Sequence, residues 1–199
     1  MELSKVTMEI FSKLEQKWLY HCEGKKTRVL SIDGGRTTGI VTDFFNIVTG
    51  TGIGALFAAM LTADNGDGRP LYSAKDAVAF VGGKSAELYM DRRVGVFCRQ
   101  QMFSDRSMDR VLKKALVRKD GKALTPRDTC KPLLVLCFDL NSSEPFVFSR
   151  ADSSESPSYD FELWKVCRAR SANPSMLKPF ALTSVDEKTS CLAVHGGTV

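Results

Sequence analysis

Histidine is almost missing from this chain, with two in 199 residues, and none of the six cysteines at 22, 98, 130, 137, 167 and 191 forms a C-x-x-C pair. A zinc centre is therefore not expected, nor any other metal or cofactor. No window of about 20 apolar residues occurs, which removes a membrane-spanning helix. The opening MELSKVTMEIF has no unbroken apolar stretch of the kind a signal peptide needs. The expectation is a cytoplasmic protein with reduced thiols. The basic pairs Lys25-Lys26, Arg92-Arg93, Lys113-Lys114 and Arg118-Lys119 have no aromatic residues interleaved with them, so no nucleic-acid partner is expected. Charge of one sign is also scarce. The net charge of +5 favours anionic surfaces only weakly. What the chain does have is 43% hydrophobic residues, enough for one core of ordinary domain size.

Val6, Ile10, Phe11, Leu14, Trp18 and Leu19 recur at three- and four-residue spacing, so residues 1–26 read as an amphipathic helix and a linker. Arg28 to Ile32 reads as a buried strand entering a glycine turn, and Phe44 to Val48 as a second strand. Ala55 to Leu61 is a buried helix, Ser73 to Met90 a helix opened by a serine cap, and Ser107 to Leu116 another. Leu133 to Phe138 is almost wholly apolar, the signature of a strand covered on both faces. Phe146 to Phe148 follows as a strand, Asp152 to Ser158 as a polar loop, Phe161 to Arg170 as an amphipathic helix and Cys191 to Val194 as the last strand. Strands alternating with helices predict an α/β domain with a mostly parallel sheet. Cys98, Cys137 and Cys167 read as buried small hydrophobes, with Cys98 beside Arg99 and Cys167 beside Arg168 as the places where a reactive thiol could arise.

Two turns place glycine where a strand hands over to a helix, the end at which ligands sit in open α/β sheets. Gly50-Thr51-Gly52-Ile53-Gly54 has the frame of a nucleophile elbow, in which small residues let the middle side chain stand at a sharp turn. The middle residue is Gly52, which has no side-chain atom with which to attack an ester carbonyl. Gly50, Gly52 and Ala55 also fit a dinucleotide fingerprint that would seat a pyrophosphate on the helix N-terminus. A nucleotide-binding module of that kind needs a second strand ending in an acidic residue about 20 positions on, where this chain has the loop Asn65-Gly66-Asp67-Gly68-Arg69-Pro70. A third reading keeps the glycines for close packing of helix on strand. Asp33-Gly34-Gly35 can present successive backbone N–H groups to an anion, the donors that an oxyanion hole requires, or serve only to connect.

With both turns in view, the sequence resembles the patatin-like lipid acyl hydrolases, in particular the plant subgroup whose elbow reads GTGIG. The likeness is carried by Leu30-Ser31-Ile32-Asp33-Gly34-Gly35, Asp43 to Asp64, Asp139-Leu140-Asn141, Pro145 to Asp152, Leu163 to Arg168 and Val194 to Gly197, in the family's order. The resemblance implies a three-layer α/β/α fold and a Ser-Asp dyad that hydrolyses acyl esters of phospholipids and galactolipids. A glycine-rich loop would supply the oxyanion hole.

Position by position, that machinery is incomplete. Gly52 stands at the nucleophile position, and His195 of His195-Gly196-Gly197 stands where the family has its dyad aspartate. Gly34 and Gly35 keep the oxyanion loop, but Arg36 replaces a glycine and Thr38 the usual arginine. Eleven residues separate Ile32 from Phe44 where the family has a longer stretch with a helix, and the chain ends at Val199 directly after the dyad motif. The expectation is an internally shortened, C-terminally truncated patatin-like domain over 27–199. By resemblance the function is that of an inactive lipid acyl hydrolase homologue. Alternatives are a weak hydrolase using Thr51, Ser31 or Asp139 as a substitute, or the nucleotide-binding module. The expected partner is a lipid or membrane surface, held weakly and peripherally through the basic pairs. His195 is either a spare general base or an aspartate replacement without a role. Oligomeric state stays open.

Overall fold

The computed structural model describes residues 27–32, 45–84, 88, 105–172 and 177–195. The expected N-terminal helix, Cys22, Cys98, the oxyanion residues Gly34, Gly35 and Arg36, and the dyad-motif glycines Gly196 and Gly197 all lie outside the described residues.

Among the described residues the chain forms six strands in one mixed sheet: β1 (Val29–Ile32), β2 (Ile47–Gly50), β3 (Leu133–Asp139), β4 (Glu144–Ser149), β5 (Phe180–Thr183) and β6 (Ser190–His195). The helices are α1 (Ile53–Thr62), α2 (Ala74–Gly83), α3 (Asp105–Ala115), α4 (Arg150–Glu155) and α5 (Leu163–Arg170). The α/β class is as the sequence indicates. The parallel part is confined to β1, β2 and β3, while β4 and β6 each pair antiparallel with β3, and β5 antiparallel with β6. The reason is local: β3–β4 and β5–β6 are joined by short polar turns, which permit only antiparallel return. The second strand is Ile47–Gly50, with Asn46 Oδ1 accepting from the Arg28 N–H at 2.9 Å to fix its entry; Phe44 of the expected span lies outside the described residues.

β3 is the spine. Leu133, Leu134, Val135 and Cys137 are all buried, so successive residues pointing to opposite faces are both covered. α1 is apolar all round, with Ala55, Leu56, Ala58, Ala59, Met60 and Leu61 buried, which marks a helix enclosed by its neighbours. It packs on β2, β3 and α5, and α5 packs in turn on β3, β5 and β6, so the two helices lie on the same face of the sheet. Their contact is close because α1 presents alanines: the Cys167 thiol reaches the Ala55 carbonyl at 3.6 Å. α3 stacks on α5 from outside, and the buried Arg168 ties the two together through Asp109 at 3.1 Å.

Two local readings are corrected. Residues 150–155 form α4 rather than a loop, because the Ser149 hydroxyl accepts from the Asp152 N–H at 3.0 Å and donates to its carboxylate at 2.6 Å, a cap that starts a helix. β5 has no counterpart among the predicted strands, being four residues with only Leu182 buried. α2 opens at the expected Ser73 cap and ends at Gly83, where glycine is a poor helix former; the rest of the predicted span to Met90 lies outside the described residues except for the buried Leu88.

Candidate functional site

The elbow is built in the backbone. β2 ends at Gly50 beside Ile32, the last residue of β1, and the Thr51 N–H donates to the Ile32 carbonyl at 3.0 Å. Gly52 follows with φ 52° and ψ −124°, outside the region favoured by residues with a Cβ, and α1 starts at the next residue. The Gly54 and Ala55 N–H groups close the first turn on the carbonyls of Thr51 and Gly52, at 2.8 and 3.2 Å.

The two inner glycines serve different ends. A Cβ on Gly50 would lie 2.3 Å from the Gly54 carbonyl oxygen and 2.6 Å from the Ala55 nitrogen, so glycine here lets the first turn of α1 sit directly on the strand end. A Cβ on Gly52 would meet nothing within 4 Å among the described residues. Toward those residues the apex is open, in the direction where an elbow displays its nucleophile, and the residue there has no side chain.

His195 is brought to the same place by the sheet. Leu134 pairs with Ser149 of β4 and with Thr49 of β2, so these occupy opposite edges of β3. Cys137 pairs with Phe146 of β4 and with His195 of β6. β2 and β6 therefore share one edge of β3, β2 rising along it and β6 descending toward it. Leu134 and Cys137 are three residues apart, roughly 10 Å at ~3.3 Å per residue. The elbow leaves that edge one residue after Thr49, and β6 ends on it at His195. The Gly52 and His195 positions, 143 residues apart in sequence, converge on the gap where the strand order changes, the kind of crevice in which open sheets bind ligands.

The imidazole at this point is half-buried, and its N–H backbone neighbour is fixed by donation to the Ala172 carbonyl at 2.8 Å. Burial, and then the positive charge of Arg170, hold its pKa below the ordinary 6.5, so near neutral pH it is uncharged. Arg170 itself is 5% exposed, at the end of α5. Its proximity to the dyad position was not legible in sequence, where an arginine in the last turn of a helix reads as a complement to the helix dipole.

The other candidates are committed elsewhere. Asp139 is buried at the end of β3. Burial pushes its carboxyl up, but hydrogen bonds from the N–H groups of Leu192 and Asn141 and from Ser142 outweigh that and hold it below the usual range. It is a turn-organising anion rather than a base turned toward the elbow. Ser31 has an exposed side chain on β1, one residue before the strand end. Cys167 is not reactive despite its neighbour Arg168, because burial pushes its thiol far up and the guanidinium turns to Asp109 and the Phe180 ring. Cys137 is likewise buried, its thiol pushed up to about 12. The dinucleotide reading finds no second strand: α1 runs into isolated bridges at Ala63 and Asp64, a loop and then α2. Among the described residues no group of three His, Cys, Asp or Glu could hold a metal ion.

A parallel strand passing into a helix through a positive-φ glycine, with His195 carried on a distant strand along the same edge of β3, is the strand–turn–helix arrangement of an α/β protein. Comparison with known proteins specifies the class. No protein-family profile matches the chain. An Arabidopsis thaliana protein named probable inactive patatin-like protein 9 is 58% identical over 223 aligned positions, covering 100% of this chain and 58% of the relative. Patatin-like protein 6 of the same plant is 37% identical, covering 86% of this chain and 40% of its own length. Patatin-like protein 3 of Oryza sativa subsp. japonica is 34% identical, with 97% and 54% covered. The chain is a homologue of the plant patatin-like proteins. It spans about half the length of these relatives. The first alignment uses 223 positions for 199 residues, so about two dozen residues of that relative have no counterpart within the matched region. That agrees with the expected internal shortening.

Proposed function

We propose that this chain is a catalytically inert patatin-like protein that keeps the architecture of an acyl-ester site without its dyad. The observation that carries the reading is the apex: Gly52 has a positive-φ strand-to-helix conformation with no described residue within 4 Å of where a Cβ would stand, and no atom that could form an acyl-enzyme bond. The second dyad position holds a neutral imidazole in place of a carboxylate. The name of the Arabidopsis relative, which includes the word inactive, supports the same reading. Substitution by a neighbouring group is disfavoured. Asp139 is held by four hydrogen bonds away from the apex, and Thr51 precedes the apex on the side tied to β1. A displacement of about 1 Å from the productive geometry already loses ~100-fold in rate.

In this reading the retained role is binding of acyl lipids at a membrane surface, with the protein cytoplasmic and peripheral. No helix among the described residues is long and apolar enough to cross a membrane. The purified chain is assayed on a short-chain nitrophenyl ester. Turnover at the level of buffer is expected. Turnover above it that one substitution at a serine, threonine or aspartate abolishes overturns the reading.

A further inference from the structure

We propose that the outward face of α3 is a docking surface for anionic lipid headgroups. This names the contact that the reading of a peripheral lipid-facing protein leaves open, and it rests on that reading for the choice of surface. Met108, Val111, Leu112 and Ala115 are buried on the side of the helix that packs on α5. Arg106, Arg110, Lys113 and Lys114 are exposed. Arg106, Arg110 and Lys113 follow at spacings of four and three and share one stripe of the helix; Lys114 stands about 100° round from Lys113, and the four span about 12 Å at 1.5 Å per residue.

The row is not neutralised from within. The helix has two acidic residues, Asp105 at its first position and Asp109. Asp109 is drawn inward to the buried Arg168 at 3.1 Å. Lys113 Nζ stands 4.3 Å over the Trp164 ring, which fixes the position of that ammonium without cancelling its charge. Arg106, Arg110 and Lys114 make no ion pair among the described residues. Just beyond the helix the situation differs: Arg118 is paired with Asp120 and Lys122 with Asp128, both at 2.7 Å. Like charges one turn apart repel along a helix, so the row is a cost to the free chain that a surface of opposite charge relieves.

The shape selects among anionic partners. The cations stand on a convex helix, and the exposed large hydrophobics, Val29, Val78, Leu140, Tyr159 and Val185, all lie off α3. Among the described residues α3 carries no stacking platform of the kind that holds nucleic-acid bases and no apolar wedge to insert. Point charges spread over one exposed helix face suit a surface with many equivalent anions, where each Lys or Arg is worth about fivefold in partition.

The test uses the full chain in co-sedimentation with phosphatidylcholine vesicles, with and without phosphatidylserine, at low and high salt. Binding only to phosphatidylserine vesicles, weakened by salt, is expected. The variant R106Q/R110Q/K113Q/K114Q should lose several hundredfold, about 600-fold, in partition. The variant R69Q/K75Q/K178Q/K188Q, with the same net charge, should keep it, and the lysine–arginine exchange R106K/R110K/K113R/K114R should keep it if the α3 variant is folded. Equal loss in both glutamine variants, equal binding to neutral vesicles, or binding of duplex RNA in place of vesicles would each overturn the docking surface. Binding to neutral vesicles leaves the lipid-site reading standing, whereas ester turnover with intact α3 docking removes the inert reading alone.

Discussion

Replacing Gly50 and Gly52 in turn by alanine separates packing from strain at the elbow. At Gly50 the added Cβ falls 2.3 Å from the Gly54 carbonyl oxygen, at least 0.7 Å inside the 3.0 Å that real Cβ contacts respect. The obstacle is the backbone of the first turn of α1, which is itself enclosed by β2, β3 and α5 and has no flexible end to give way. Overpacking a core costs ~1–3 kcal/mol where side chains can readjust; a clash with helix backbone should cost about 3 kcal/mol or more. At Gly52 nothing among the described residues lies within 4 Å of the new Cβ, and the cost is that of backbone strain at φ 52° and ψ −124°, ~1–3 kcal/mol. Urea unfolding followed by far-ultraviolet circular dichroism, with midpoints compared at unchanged slope, measures both. Gly50→Ala should be the less stable variant. If it were as stable as Gly52→Ala, the seating of α1 on the strand end, and with it the elbow geometry, would be refuted.

Other expectations follow from the same geometry. Gly52→Ser should give little or no ester hydrolysis, and Gly52→Ser with His195→Asp more; silence of a folded, soluble double variant in a nitrophenyl ester assay argues against a preserved site. His195 has a folded pKa below the ordinary 6.5, so the unfolded chain binds the proton more readily and the stabilisation present above pH 6.5 is lost as pH falls through the folded value. Thermal midpoints of a His195→Gln variant should lack that part of the decline, and an unchanged profile counts against the buried placement. Asp139 has a folded pKa below the ordinary 3.8, so its contribution is present above that pH and disappears as pH drops through the folded value. Asp139→Asn should lower stability at neutral pH by ~2 kcal/mol and flatten the acid limb; a loss that persists unchanged at low pH contradicts the hydrogen-bonded anion.

Sequence patterns reveal the frame of the site better than its wiring. The glycine turn, the apolar run of β3 and the Cys191 to Val194 part of β6 were all legible, because strand patterning and the demand for glycine at a close approach are local properties. The convergence of Gly52 and His195 was implied only by resemblance, since it depends on β2 and β6 meeting along one edge of β3, a pairing no local signal encodes. Arg170 beside His195 was hidden for the same reason. Asp139 invites a chemical role by its place at the end of a buried strand, and only the N–H of Leu192, 53 residues away, shows that its charge is already in use. α4 was missed because the Ser149–Asp152 cap was masked by a polar stretch that composition alone reads as loop.

The central claim is that a nucleophile elbow persists here without a nucleophile, and the most direct measurement is labelling of the folded chain with a fluorophosphonate, followed by mass spectrometry of the peptides. The account predicts no site-specific adduct, and an adduct on Gly52→Ser only at position 52 if the site is preserved. An adduct on one defined hydroxyl of the unaltered chain, abolished when the protein is first unfolded by heat, would contradict it.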